Sequence, residues 1–158
     1  MPTQVGAANE VVERAVGNGH LREELALVEP GVSVLHYTET LTILHVVMVR
    51  RPIGAGTSIP HNHVMWAVIG VTHGGKDNHF FRPTEQKRLE TLGGRVLAEG
   101  DVLALGEKTI HKVKNPSSER LSSALHVYGG DLISAPKTMW CEPEHTAQPF
   151  DLAHVLAS

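Results

Sequence analysis

The first thirty residues carry apolar side chains at helical spacing. These positions are Val11, Val12, Ala15 and Val16, followed by Leu21, Leu25 and Val28. A recurrence every three to four residues predicts helices that bury one face. We therefore expect two helices within residues 1–30, with Asn18 as the N-cap of the second and Pro30 at its end.

From Val32 onward the pattern changes to short runs of Val, Ile, Leu and Thr that are separated by Gly, Pro and Asn. This pattern predicts strands near 32–38, 41–50, 65–72, 77–82, 95–98, 102–105, 111–114 and 122–128. Many short, evenly spaced strands favour a small β-barrel or jelly roll. After Tyr128 the chain is rich in Gly, Pro and Asp, and we expect an irregular tail over 129–158 that packs on the barrel.

Composition narrows the class of protein. The 158 residues suit a single all-β domain, with N-terminal helices in 1–30 and a barrel over 32–128. Fourteen basic and seventeen acidic residues give a net charge of −3, so no cationic surface is expected for nucleic acid or anionic lipid. The single cysteine, Cys141, has no internal disulfide partner, and no apolar leader or membrane-length run is visible. We therefore expect a cytoplasmic protein, with monomer and homodimer both open.

Eleven histidines are the unusual feature of the composition. Histidine is the commonest metal ligand. His61 and His63 are two residues apart, a spacing that places both imidazoles on one face of a strand. This pair alone is compatible with half of a metal site or with two core histidines.

A second motif begins at Gly100 and continues with His111 eleven residues later and Asn115 four residues beyond that. Together the two motifs resemble those of the cupin family, whose fold is a jelly-roll barrel, the double-stranded β-helix. The resemblance implies one metal ion held by His61, His63 and His111. The family's first motif usually adds a glutamate shortly after the histidine pair, whereas residues 64–68 here contain none. Three neutral histidines would then leave the remaining coordination positions open.

A third motif is Leu-His-Val-Tyr, which places His126 and Tyr128 on one face of the last barrel strand. Within the cupins it is similar to the thiol dioxygenases, the cysteine dioxygenase-like family, which have a Ser-x-His-x-Tyr network beside three-histidine iron. The resemblance implies one Fe(II), with zinc or nickel possible in the isolated protein, and oxidation of a small thiol to a sulfinate by dioxygen. In that family the histidine orients the tyrosine, and the serine position here is Ala124.

The motifs identify the substrate-binding residues less directly than they identify the metal ligands. The family's carboxylate-binding arginine lies in Tyr-Thr-Arg, and the nearest match here ends in Glu39. If Glu39 faced the cavity it would repel a carboxylate, so free cysteine is expected to be a poor substrate. Arg50, Arg51 and Arg82 are candidate compensating cations, and His45 could face the cavity.

Two other functions are compatible with the same motifs. One is a cupin metalloenzyme that acts on a small molecule without a thiol. The other is a cupin that binds a small ligand without catalysis, although such proteins can lose the histidine triad. For the thiol dioxygenase and for the metalloenzyme with a non-thiol substrate, the expected partners are a small-molecule substrate and dioxygen.

Overall fold

The structure, a computed structural model, describes residues 3–26, 29–50, 59–86, 88–141 and 145–151. Within these ranges the chain begins with two helices and continues in strands. The helices are α1 (Gln4–Gly17) and α2 (Gly19–Glu24). The strands are β1 (Gly31–Tyr37), β2 (Thr42–Met48), β3 (Ala67–His73), β4 (Lys76–Pro83), β5 (Leu89–Leu97), β6 (Val102–Leu105), β7 (Ile110–Lys114), β8 (Ser122–Tyr128), β9 (Thr138–Cys141) and β10 (Thr146–Pro149).

The strands form two facing antiparallel sheets and a small hairpin. One sheet has the order β1-β2-β8-β3-β6, the second has the order β5-β4-β7, and β9 pairs with β10. The core between the two larger sheets includes side chains from β2, β3, β6 and β8, with Phe80 of β4 packed against them. The all-β barrel predicted from the strand pattern is therefore confirmed.

Strand alternation decides which side chains face the barrel interior. Tyr128 belongs to the interior apolar cluster, whereas the preceding Val127 packs beneath α1 on the outer face of the larger sheet. The helix lies very close to β3, since a Cβ atom at Gly70 would be 2.4 Å from Val12 Cγ1. The predicted helical stripe is thus an external cover for the five-stranded sheet.

The second helix is shorter than the sequence pattern predicts. Asn18 does cap it, because its side chain accepts a hydrogen bond from the amide of Leu21 at 3.1 Å. However, α2 ends at Glu24 rather than near Pro30, and none of its residues is buried. A periodic stripe extends a helix only where another element packs against it. Among the described helices, none is both long and apolar enough to span a membrane.

The expectation of an irregular tail is wrong. Strands β9 and β10 pair as a hairpin, and β9 also binds the segment that carries the first two histidines of the triad. The amide of Trp140 donates to the carbonyl of Pro60 at 2.9 Å, and the amide of Asn62 donates to the carbonyl of Thr138 at 3.1 Å. The pairing partner for this part of the tail is thus a distant segment, which a local pattern does not reveal.

Candidate metal centre

Three histidines converge inside the barrel. One ring nitrogen from each of His61, His63 and His111 lies within 4.8 Å of those from the other two. The ring centroids are 4.9–5.0 Å apart, and the exposed fractions of the residues are 7%, 6% and 1% respectively. This cluster, here called the three-histidine cluster, has the compact arrangement expected of facial ligands to a single ion.

The backbone holds two of these histidines directly against each other. The amide of His61 donates to the carbonyl of His111 at 2.9 Å, and the amide of His111 donates back to the carbonyl of His61 at 3.0 Å. His61 and His63 lie in an extended segment with isolated bridges rather than in the regular strand that the sequence suggested. The i, i+2 spacing nevertheless brings both imidazoles to one point.

The chain turns sharply immediately after His63. Val64 has φ of 55°, in the left-handed region that a β-branched residue rarely adopts. Such a conformation costs on the order of 1–3 kcal/mol and persists only where the surroundings impose it. As a result, β3 begins at Ala67 rather than at the predicted residue 65.

The three imidazoles are neutral at physiological pH. Burial lowers the pKa of His61 to about 4, and it lowers the pKa values of His63 and His111 well below their ordinary range. His61 Nδ1–H donates to the carbonyl of Ile59 at 3.0 Å, which leaves its Nε2 lone pair available. A neutral histidine with one nitrogen held by a carbonyl is the usual form of a metal ligand.

The unsatisfied atoms of the cluster also fit a metal ion. Both ring nitrogens of His111 are buried, and neither has a hydrogen-bond partner among the described residues. Buried polar atoms in folded proteins are almost always satisfied. An ion bound by the three histidines would satisfy one of the His111 nitrogens. Imidazole ligands suit iron, zinc and nickel alike, so the ligand type alone does not select the metal.

Beside the cluster, a tyrosine and a histidine of β8 are hydrogen-bonded to each other. His126 Nδ1 lies 2.8 Å from Tyr128 Oη. The Tyr128 ring lies 5.0 Å from the ring of His63, with an interplanar angle of 61°. The pair predicted to flank the triad therefore does lie against it.

A lysine that no sequence motif indicated completes this network. Lys76 is 2% exposed and lies on β4. Its Nζ is 2.6 Å from Nε2 of His126, which lies on β8 in the opposite sheet. Burial lowers the pKa of Lys76 to about 7. The predicted strand began at residue 77, so Lys76 lay outside it. Extending the alternation of buried Asn78 and partly buried Phe80 back by one step would have placed Lys76 on the same face as these two residues.

The tail supplies one edge of the site. The Phe150 ring lies 5.5 Å from the ring of His61. Lys137 Nζ lies 5.3 Å from the centre of the Phe150 ring, and its charge contributes to the lowered pKa values of His61 and His63. No feature of the tail sequence indicates these contacts.

The predicted charged substrate residues that the structure describes do not join the buried cluster. Glu39 lies in an exposed turn between β1 and β2, and Arg50 is exposed beyond the end of β2. Arg82 is exposed and paired with Glu90 on the neighbouring strand. Arg51 lies outside the described residues. Glu39 therefore does not meet the condition under which it would repel a substrate carboxylate, because the turn that contains it projects into solvent.

His45 is buried but points away from the three-histidine cluster. In the β2–β8 register His126 is opposite Leu44, and His45 is opposite Leu125. Because successive side chains point to opposite faces of a sheet, His45 and His126 lie on different faces. The suggestion that His45 faces the cavity is therefore wrong, and it is better described as a histidine of the outer layer.

We expect the metal-free protein to lose stability as the pH falls from about 6.5 towards 4. His61 in the unfolded chain binds a proton near pH 6.5 but in the fold only near pH 4, so protons favour unfolding in this window. The difference corresponds to about 3 kcal/mol for His61 alone. Urea unfolding at pH 7, 5.5 and 4.5 measures the effect. His61→Gln should reduce the slope, whereas exposed His20→Gln should not, and a wild-type stability independent of pH would contradict the expectation.

Comparison with known proteins gives the fold of the chain. No model of a known protein family matches the sequence. The chain is similar to an RmlC-like cupin with a double-stranded β-helix fold from Methanocaldococcus jannaschii, with a TM-score of 0.51 and 15% identity over 66% of this chain and 83% of that one. It also aligns with the DMSP lyase DddQ from Ruegeria pomeroyi DSS-3, with a TM-score of 0.48 and 20% identity over 66% of this chain and 49% of that one.

An oxalate oxidase in complex with the substrate analogue glycolate aligns with a TM-score of 0.49 and 16% identity, over 63% of this chain and 50% of that one. At such identities a structural similarity concerns the fold and not the reaction. The chain therefore has the cupin double-stranded β-helix fold, and its barrel encloses three buried histidines that could hold a metal ion.

Proposed function

We propose that this protein is a mononuclear non-haem Fe(II) dioxygenase that oxidises a small thiol to a sulfinate. The observation that carries the proposal is the hydrogen-bonded His126–Tyr128 pair packed against a cluster of three neutral histidines. No carboxylate belongs to this cluster among the described residues. The commoner non-haem iron site has two histidines and one carboxylate, so the present site would leave the ion with one more unit of positive charge.

The proposed reaction is RSH + O₂ → RSO₂⁻ + H⁺. Both oxygen atoms form bonds to sulfur, sulfur loses four electrons, and dioxygen is the oxidant that accepts them. When bound, the iron would supply the open coordination positions and the redox chemistry that unite thiolate and dioxygen. The higher charge of a three-imidazole site favours an anionic thiolate ligand.

The protein contributes apolar surroundings and a directed hydrogen-bond donor. The buried interior cluster, which includes Leu44, Ile69 and Leu105, also contains Tyr128, and Leu44 is paired with His126 across the sheet. Burial raises the pKa of Tyr128, so its phenol keeps its proton at neutral pH and remains able to donate. His126 holds the hydroxyl through Nδ1 at 2.8 Å.

The charges near the cluster favour a substrate with an anionic group. Lys76 and Lys137 both contribute positive charge at His61 and His63, whereas Glu39 lies in an exposed turn. The sequence-based expectation that free cysteine is a poor substrate depended on Glu39 facing the cavity. A thiol that carries a carboxylate is therefore the better candidate.

Metal analysis and oxygen uptake test this proposal. We expect about one iron per chain and consumption of one O₂ per sulfinate formed, with a higher kcat/KM for 3-mercaptopropionate or cysteine than for cysteamine. Lys137→Met should lower kcat/KM for the two carboxylates and not for cysteamine. Lys112→Met, a change on the outer face of β7, is the matched control.

Two outcomes would overturn the proposal. Bound iron without thiol-dependent oxygen uptake would favour a cupin metalloenzyme that acts on a non-thiol substrate. A protein that binds no metal in stoichiometric amount would favour a non-enzymatic ligand-binding cupin.

A further inference from the structure

Lys76 is buried in the barrel, and no acidic residue in the described part of the chain pairs with it. Its exposed fraction is 2%, and its Nζ lies 2.6 Å from His126 Nε2. Among the ion pairs of the described residues, none includes Lys76. Burying an ammonium group that is not paired with an anion is expensive. Such a lysine calls for a functional explanation. In the proposed function Lys76 acts only through its positive charge, and its contact with His126 has no role.

The chemistry of the two groups determines the direction of the hydrogen bond. Below its pKa of about 7 Lys76 is an ammonium group with three donors and no acceptor, so His126 Nε2 must accept. Burial and the charge of Lys76 lower the pKa of His126 well below its ordinary range, which keeps the imidazole neutral. A neutral imidazole that accepts at Nε2 carries its proton on Nδ1.

That proton position determines what the tyrosine hydroxyl can do. With the proton on Nδ1, His126 donates to Tyr128 Oη across the observed 2.8 Å. The hydroxyl then accepts from His126, and its own proton is left to donate elsewhere. In the Nε2–H tautomer the Tyr128 hydroxyl would donate its proton to His126 Nδ1, so it could not donate to a second group.

We propose that Lys76 is a positioning residue that holds His126 in the Nδ1–H tautomer and thereby frees the Tyr128 hydroxyl to donate to a ligand at the three-histidine cluster. Lys76 extends from β4 to the same histidine that the cysteine dioxygenase-like motif would support with a serine, at the position occupied here by Ala124. The inference rests on the proposed function only for the presence of a ligand at the cluster.

Nitrogen-15 NMR of the histidine side chains tests the tautomer directly. The measurement is made at pH 6 on the metal-free and the zinc-loaded protein, and the His126 signals are identified by their loss in His126→Gln. We expect the wild-type protein to show the Nδ1–H tautomer. In Lys76→Met this tautomer should lose its dominance, whereas Lys137→Met, which removes a half-buried lysine elsewhere at the site, should retain it.

A wild-type protein with the Nε2–H tautomer would overturn the inference, and this result requires no variant to fold. Retention of the wild-type tautomer in folded Lys76→Met would overturn it as well. Neither result depends on iron or on a thiol, so this inference can fail while the proposed function stands.

Azide binding to the cobalt-substituted protein tests whether Lys76 acts through Tyr128. Loss of one hydrogen bond to a charged ligand should weaken azide binding by about tenfold or more in Tyr128→Phe. If Lys76 acts through the tyrosine, the double variant Lys76→Met/Tyr128→Phe should bind azide about as weakly as the weaker of the two single variants. Lys137→Met provides the control, since its effect and that of Tyr128→Phe should add. Additive losses for Lys76 and Tyr128 would overturn the inference.

Discussion

Replacement of His61, His63 or His111 by alanine is expected to remove most of the metal that the protein binds and to leave the barrel folded. Each change deletes one of three converging nitrogen donors, whereas the apolar interior cluster does not depend on them. Loss of an outer partner of a ligand already costs roughly 10–100-fold in metal affinity or activity, and loss of a ligand should cost more. Metal content after desalting and the circular dichroism spectrum measure the two outcomes.

His45→Ala is the matched control for this experiment. His45 has an exposed fraction of 6%, equal to that of His63, but lies on the opposite face of β2 from the cluster. Its replacement should leave the metal content unchanged. A wild-type metal content in any one of the three ligand variants would contradict the assignment of the metal site.

Replacement of Lys76 by methionine will stabilise the metal-free protein at and below neutral pH. The unfolded chain keeps Lys76 charged up to about pH 10.5, whereas burial lowers the pKa in the fold to about 7. That difference corresponds to an ionisation penalty of at most about 5 kcal/mol. The bond lost to His126 offsets about 1–3 kcal/mol of the gain, because a buried nitrogen is left unpaired.

The pH dependence gives this prediction its sign. Between about pH 7 and 10.5 the unfolded chain binds the Lys76 proton and the folded chain does not, so the wild-type stability rises with pH. The advantage of Lys76→Met is therefore greatest at pH 7 and below, and it disappears as the pH rises towards 10.5. Urea unfolding at pH 6, 8 and 10 measures it, with exposed Lys108→Met as the control. A stability difference that does not change with pH would contradict the prediction.

Lys76→Met is expected to help the stability of the fold and to harm the arrangement of the site. The variant should be more stable than the wild type, but the Nδ1–H tautomer of its His126 should no longer dominate. Functional sites commonly retain groups that the fold alone would not favour. Lys76 is such a group here, since the barrel would accommodate an apolar side chain at this position more easily.

Local patterns in the sequence were sufficient for much of the barrel and for the choice of ligands. Short apolar runs bounded by turn residues identify β2 and β8, because such a run can be recognised without knowledge of the partner strand. The spacing of His61 and His63 left two interpretations open, and the resemblance of the two motifs to those of the cupins singled out the three histidines that converge. The Asn18 cap was also readable, because capping involves only residues three positions apart.

Tertiary structure alone decided which faces and which distant residues meet at the site. Leu44 and His45 are neighbours in sequence, but the register with β8 puts only Leu44 on the face of His126. Lys76 reaches His126 from the opposite sheet, and the tail hairpin binds the segment around Asn62. Strand periodicity states that successive side chains alternate but not which set is buried, and a one-residue shift in register exchanges the two faces. The sequence by itself thus determined most of the strands and the residue types of the three-histidine cluster. Pairing between distant strands determined which face of each strand is buried, which cation is buried beside His126 and which tail residues border the site.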